Sequence, residues 1–207
     1  MAQPNHDPVD QQALAFIGPS LGAINRTVLL SCDYFIMPMS SDIFSLRGLQ
    51  NIEIAISTWK RALKRGLEAF EEENGVPFAL DDGTEISEIA IKFLGYVTQQ
   101  YIAKTVDGKK QPVKAYEQII RKVGPAIKKH LVDSLNDGFS ANYKLGEIPY
   151  FQSLVPMSQT ATKPIFALKS ADGIVGAHFD KVVQFQDVIS SIAKCFETNM
   201  KAIDGVA

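Results

Sequence analysis

Ala13-Leu14-Ala15-Phe16-Ile17-Gly18-Pro19-Ser20-Leu21-Gly22, followed further on by Asp33-Tyr34-Phe35-Ile36-Met37-Pro38-Met39, decides the fold class of this chain. The first five residues are an apolar run stopped by Gly-Pro, the pattern of a short buried strand. Ser20 stands where its hydroxyl can accept from free first-turn amides, which predicts a helix from there to about Cys32. The run Tyr34 to Met39 predicts a second buried strand, with Pro38 near its end, where a missing ladder donor matters less. Strand, helix and strand inside thirty residues are the opening of an α/β domain.

The rest of the chain repeats the alternation. Leu49, Ile52, Ile56, Trp59 and Leu63 step by three and four, so they mark one face of a helix, and Glu53, Lys60, Arg61 and Lys64 lie off that stripe. Residues 66–83, bounded by two glycines, read as a polar connection. Phe93 to Thr98 predicts a third strand and Leu145 to Pro149 a fourth. Between them Tyr116, Ile120, Val123, Ile127 and Leu131 have helical spacing, which Gly124-Pro125 is expected to kink. A long amphipathic helix carrying Phe179, Val182, Ile189, Ile192, Phe196 and Met200 closes the chain. Short buried strands between helices predict a three-layer α/β/α fold on a mainly parallel sheet. It forms a single domain over residues 13–207 behind a polar leader, residues 1–12.

Composition bounds the function. With 207 residues and 46% hydrophobic content, the chain can bury a core without staples. A net charge of −2 argues against a globally basic nucleic-acid binder but leaves room for a local patch. No apolar run approaches the roughly 18 residues of a membrane helix, and the opening residues lack a signal peptide's basic and apolar regions. Cys32 and Cys195 make no disulfide framework, so a cytoplasmic location is expected. His6, His130 and His178 have no metal-ligand spacing, and no metal site is predicted.

Charge is segregated. Residues 66–90 hold eight acids (Glu68, Glu71, Glu72, Glu73, Asp81, Asp82, Glu85, Glu88) and no Lys or Arg. Residues 101–130 hold eight bases (Lys104, Lys109, Lys110, Lys114, Arg121, Lys122, Lys128, Lys129) against Asp107 and Glu117. These are two solvated faces, or the basic one is a phosphate-backbone contact in which each cation releases a counterion.

Gly18-Pro19-Ser20-Leu21-Gly22 also matches G-x-S-x-G, the elbow that exposes a nucleophilic serine between strand and helix. A hydrolase using Ser20 needs His178 as base, with Asp133 or Asp172 behind it. Pro19 constrains Gly18 away from the tight elbow geometry, and a helix-capping Ser20 explains the same letters.

Over a longer stretch, Gly18-Pro19-Ser20-Leu21-Gly22, Asp33-Tyr34, Ile36-Met37-Pro38, Ser45-Leu46-Arg47-Gly48-Leu49, Leu94-Gly95-Tyr96-Val97-Thr98, Ile148-Pro149, Leu154 and Lys163-Pro164-Ile165 together resemble the ParA-type partition ATPases. The succession runs from about residue 14 to residue 200. The resemblance implies a P-loop NTPase fold that dimerises around ATP and Mg²⁺, often binds DNA without sequence preference, and positions plasmids or chromosomes. By resemblance, Gly18, Pro19 and Ser20 match the phosphate-sensing turn, and Thr98, Gln99, Ile148 and Pro149 match segments bordering the nucleotide base. Arg121, Lys122, Lys128 and Lys129 are the DNA-binding candidates.

The family's chemistry needs a glycine-rich loop whose amides and lysine surround the phosphates, followed by a Ser/Thr on Mg²⁺. No G-x-x-x-x-G-K-(S/T) occurs in these 207 residues. Phe16 stands where the family has an acid near Mg²⁺, and an aromatic ring cannot coordinate a hard cation. The sequence therefore predicts the C-terminal portion of such a fold, with no catalytic residue and with ATP and Mg²⁺ only where a complete site is present. Its expected partners are a second copy, an intact ParA-like subunit or non-specific DNA. In the family the P-loop strand lies inside the sheet, so its loss would expose strand edges and favour association.

Overall fold

A computed structural model describes residues 15, 17–18, 22–40, 42–99, 103–106, 109–112, 114–151 and 153–205; side chains of residues 103–117 are left aside. In chain order the elements begin with helix α1 (Ala23–Leu30), strand β1 (Tyr34–Ser40), helix α2 (Ile43–Asn74) and strand β2 (Lys92–Gln99). A hairpin, β3 (Ala103–Val106) and β4 (Lys109–Pro112), leads into helix α3 (Lys114–Ile127). A π-helical turn, Lys128–Val132, and a last short turn, α4 (Asp133–Leu135), continue it. Strand β5 (Lys144–Ile148), helix α5 (Leu154–Ala161), two 3₁₀ turns and helix α6 (His178–Asp204) complete the chain.

The described residues form a mixed α/β structure around a small parallel sheet of order β1-β2-β5, with the β3-β4 hairpin as a separate antiparallel pair. β2 is central, and six of its eight residues are buried, as suits a strand covered on both faces. Its register against β1 steps past Leu94, since Phe35 pairs with Phe93 and Ile36 with Gly95. That step lets both Phe93 and Tyr96 reach one core, with Met39 of β1, Leu49 and Ile56 of α2, and Val123, Ile127 and Leu131 of the α3 region. α6 lies against β5 and β2. A second, smaller core gathers Phe151, Leu154, Ile165, Leu168, Ile174 and Val182 around α5 and the start of α6.

Two asparagines tie the central strand to separate helical segments. Asn136, just past α4, accepts from the Phe93 amide at 3.0 Å and donates to the Phe93 carbonyl at 2.8 Å. Asn199 of α6 donates to the Leu94 carbonyl at 2.8 Å and to the Asn142 carbonyl at 2.9 Å. Both are buried, so each replaces ladder partners that the irregular strand lacks.

Several sequence expectations change. The apolar run from Ala13 is not seen as a strand: Ala15 and Ile17 are exposed and outside any element, and the other three residues lie outside the described set. α1 starts three residues beyond Ser20, with Gly22 as N-cap; the expected cap, Ser20, lies outside the described residues. α2 runs on to Asn74, eight residues past Gly66, because Leu67 and Phe70 continue the apolar spacing and only the left-handed Gly75 ends it. The helix containing Pro125 is not split; its ladder instead relaxes into the π turn a few residues later, the expected compensation near a lost donor. The β3-β4 hairpin was not expected at all.

Candidate functional site

In a parallel sheet all strands end on one edge. Here that edge carries Ser40 of β1, Thr98 and Gln99 of β2, and Glu147 and Ile148 of β5. Thr98 lies opposite Met39 on one side and Glu147 on the other, and Gln99 lies between Ser40 and Ile148. Thr98 is buried, Gln99, Ile148 and Pro149 are half-buried. The register therefore brings Thr98, Gln99, Ile148 and Pro149 together, as open α/β sheets do at their ligand-binding edge.

Glu147, which the sequence reading did not single out, is the acid of this edge. It forms an ion pair with Lys144, three residues back. Burial, and secondarily the Glu147 charge, push the Tyr96 hydroxyl above its usual range. The signal that would have found Glu147 is its place next to the last residue of a strand that stops before Pro149.

Gly18 is described and exposed, and its carbonyl accepts from Asn25 Nδ2 at 3.1 Å. Pro19 and Ser20 lie outside the described residues. Arg121, Lys122, Lys128 and Lys129 are all exposed. The first two sit in α3, whereas Lys128 and Lys129 open the π turn. Next to them His130 Nδ1 meets Glu53 Oε2 of α2 at 2.5 Å, which anchors that turn to the body.

The residues offered as partners of Ser20 do not assemble with each other. His178 meets Ser153, with Nε2 and Oγ 3.3 Å apart, and its Nδ1 is buried with no partner. Asp172 is held by Lys163 at 2.7 Å and by the Lys169 amide at 2.9 Å, contacts that keep its carboxyl below the usual range. Asp133 begins α4. An open depression of about 560 Å³ is lined by Ser153, Met157 and Asp172.

Among the described residues no group of His, Cys, Asp and Glu has the arrangement of a metal site. No described helix is long and apolar enough to cross a membrane.

No protein-family model matches the chain, and no curated protein matches it. Among solved structures it is similar to protein DIP2308 from Corynebacterium diphtheriae, at 20% identity and a TM-score of 0.55. The match covers 88% of this chain and 47% of that one, so the chain spans about half the length of the protein it resembles. At that identity the likeness shows the fold alone: a mixed α/β arrangement shared with a longer protein.

Proposed function

We propose that this chain is a ParA-type α/β domain that acts by binding an intact ParA-like subunit or DNA, and that it neither holds nor hydrolyses ATP by itself. The observation that carries the reading is the meeting of Thr98, Gln99, Ile148 and Pro149 on the carboxyl edge of one parallel sheet. Those four positions match the family's nucleotide-bordering segments. Hydrolysis is left out because nothing in the sequence supplies phosphate-cradling amides with their lysine, and Phe16 replaces the acid beside Mg²⁺. Binding to an intact ParA-like subunit would offer β1 a second neighbour, since it has one on one side only among the described residues.

The test is titration with a fluorescent ATP analogue and Mg²⁺, with ADP as competitor. The expected result is no saturable binding by the isolated chain, together with co-purification with a full-length ParA-like protein. Saturable micromolar binding would overturn the non-catalytic reading. A second reading, DNA retention, rests on the exposure of Lys122, Lys128 and Lys129. It predicts retention of duplex that falls steeply between about 50 and 200 mM salt.

A further inference from the structure

The second half of α2 and the segment after it form an arm. Every residue from 71 to 85 is exposed, and along 64–70 only Leu67 and Phe70 are half-buried. The arm is nevertheless ordered by its own contacts. Gly75 closes α2 by donating to the Glu71 carbonyl at 2.8 Å. The following turn is held by Leu80 N–H to Thr84 O at 2.9 Å and Ile86 N–H to Phe78 O at 3.0 Å. Phe78 folds back edge-on against Phe70, with ring centroids 5.3 Å apart. This leaves Val76, Phe78 and Leu80 at the tip, 56%, 36% and 48% exposed, inside a ring of acids.

Its complement is on the same chain. Lys122, Pro125 and Lys129 recur at three and four residues along α3 and the π turn, so they share a face, with Lys128 beside them. All four are exposed, and a side chain at Gly124 would meet nothing within 4 Å. The face thus has a low apolar centre between cations. Among the described residues no ion pair joins Lys122, Lys128 or Lys129 to any acid of the arm.

We propose that the acidic, apolar-tipped arm of one copy docks on the Lys122–Pro125–Lys129 face of a second copy, and reciprocally, closing a two-fold dimer. An apolar centre within a charged rim is the anatomy of a specific interface, and an arm reaching from about residue 66 to 88 approaches the roughly 20–30 residues such interfaces use per side. Reciprocal exchange satisfies two-fold symmetry, because what the arm of each copy lacks the face of the other supplies. Exposed ion pairs alone are weak, so Val76, Phe78 and Leu80, covered on docking, provide the affinity and the charges the register. This inference does not depend on the ATPase-family reading.

Sedimentation velocity over a concentration series tests it with three chains. The wild type is expected to show a monomer–dimer equilibrium that weakens as salt is raised. The arm variant Glu71→Lys/Glu72→Lys/Glu73→Lys and the face variant Lys122→Glu/Lys128→Glu/Lys129→Glu should each weaken it by about tenfold or more. Mixed in equal amounts, the two variants should dimerise again, because each arm then meets an oppositely charged face. That recovery separates lost docking from lost folding. A control chain, Lys169→Glu/Lys194→Glu/Lys201→Glu, carries the same net charge as the face variant but keeps both arm and face, and should dimerise as the wild type does. A wild type that stays monomeric in low salt, a control that loses dimerisation as the face variant does, or mixed variants that stay monomeric would overturn the proposal.

Discussion

Tyr34 shows what one side chain contributes to holding the sheet to its outer helix. Its hydroxyl donates to Asp204 at the end of α6, and the same carboxylate lies 3.7 Å from Lys92 Nζ. Burial first, then the Asp204 hydrogen bond and charge and the nearby Asp33, push the hydroxyl up to about 12. An unfolded tyrosine titrates near 10. The folded state therefore holds the proton more tightly, and this contribution is fully present below about pH 10 and lost as pH rises through 12. Urea midpoints measured from pH 9 to 12 should fall more steeply for the wild type than for Tyr34→Phe. Equal slopes would mean that the folded state does not raise this hydroxyl's pKa. Asn136 and Asn199 act at the same scale but independently of alkaline pH, since amides do not titrate.

Among the elements, β5 and α6 meet through the absence of a side chain. A Cβ at Gly146 would lie 2.6 Å from Ile192 Cγ1 and 3.2 Å from its Cδ1, so glycine lets the helix close on the strand. Gly146→Ala should cost about 1–3 kcal/mol by urea unfolding, as overpacking does. Adding Ile192→Ala should return part of that loss, and strict additivity of the two changes would refute the contact. Elements of this kind were legible where periodicity was long and uninterrupted. β1, β2, β5, the core of α2 and α6 follow directly from their apolar spacing. The end of α2 was missed because Gly66 was read as its stop, although Leu67 and Phe70 continue the stripe, Glu71, Glu72 and Glu73 are good helix formers, and the true stop is Gly75. The β3-β4 hairpin was missed because Lys-Thr-Val-Asp-Gly-Lys-Lys was read for its charge, although Asp107-Gly108 is a hairpin turn signal. At the site, Thr98 with Gln99 and Ile148 with Pro149 were legible as strand ends. That they sit side by side was not, because strand order is a long-range property.

For the whole molecule, the weak point is β1. It is seven residues long, carries no charge, pairs with β2 alone among the described residues, and leaves Ile36 40% exposed. Natural edges are blunted with charge or proline, and here only Pro38 does that work. Ile36→Lys should therefore raise the temperature at which scattering appears on heating, with stability changed by no more than about 0.5 kcal/mol. Unchanged scattering would locate association elsewhere, for example at the arm.

The order β1-β2-β5 also sets a clock. Tyr34 must find Lys92, and Tyr96 must find Lys144, so no strand of the sheet meets its partner until dozens of intervening residues exist. At about 5–20 residues per second on a ribosome, β1 waits roughly 3–12 s for β2 to be synthesised. During that interval α2 can form locally, but the strand before it has no sister to join. Contacts so distant along the chain make folding slow and leave the apolar β1 unpaired for longer.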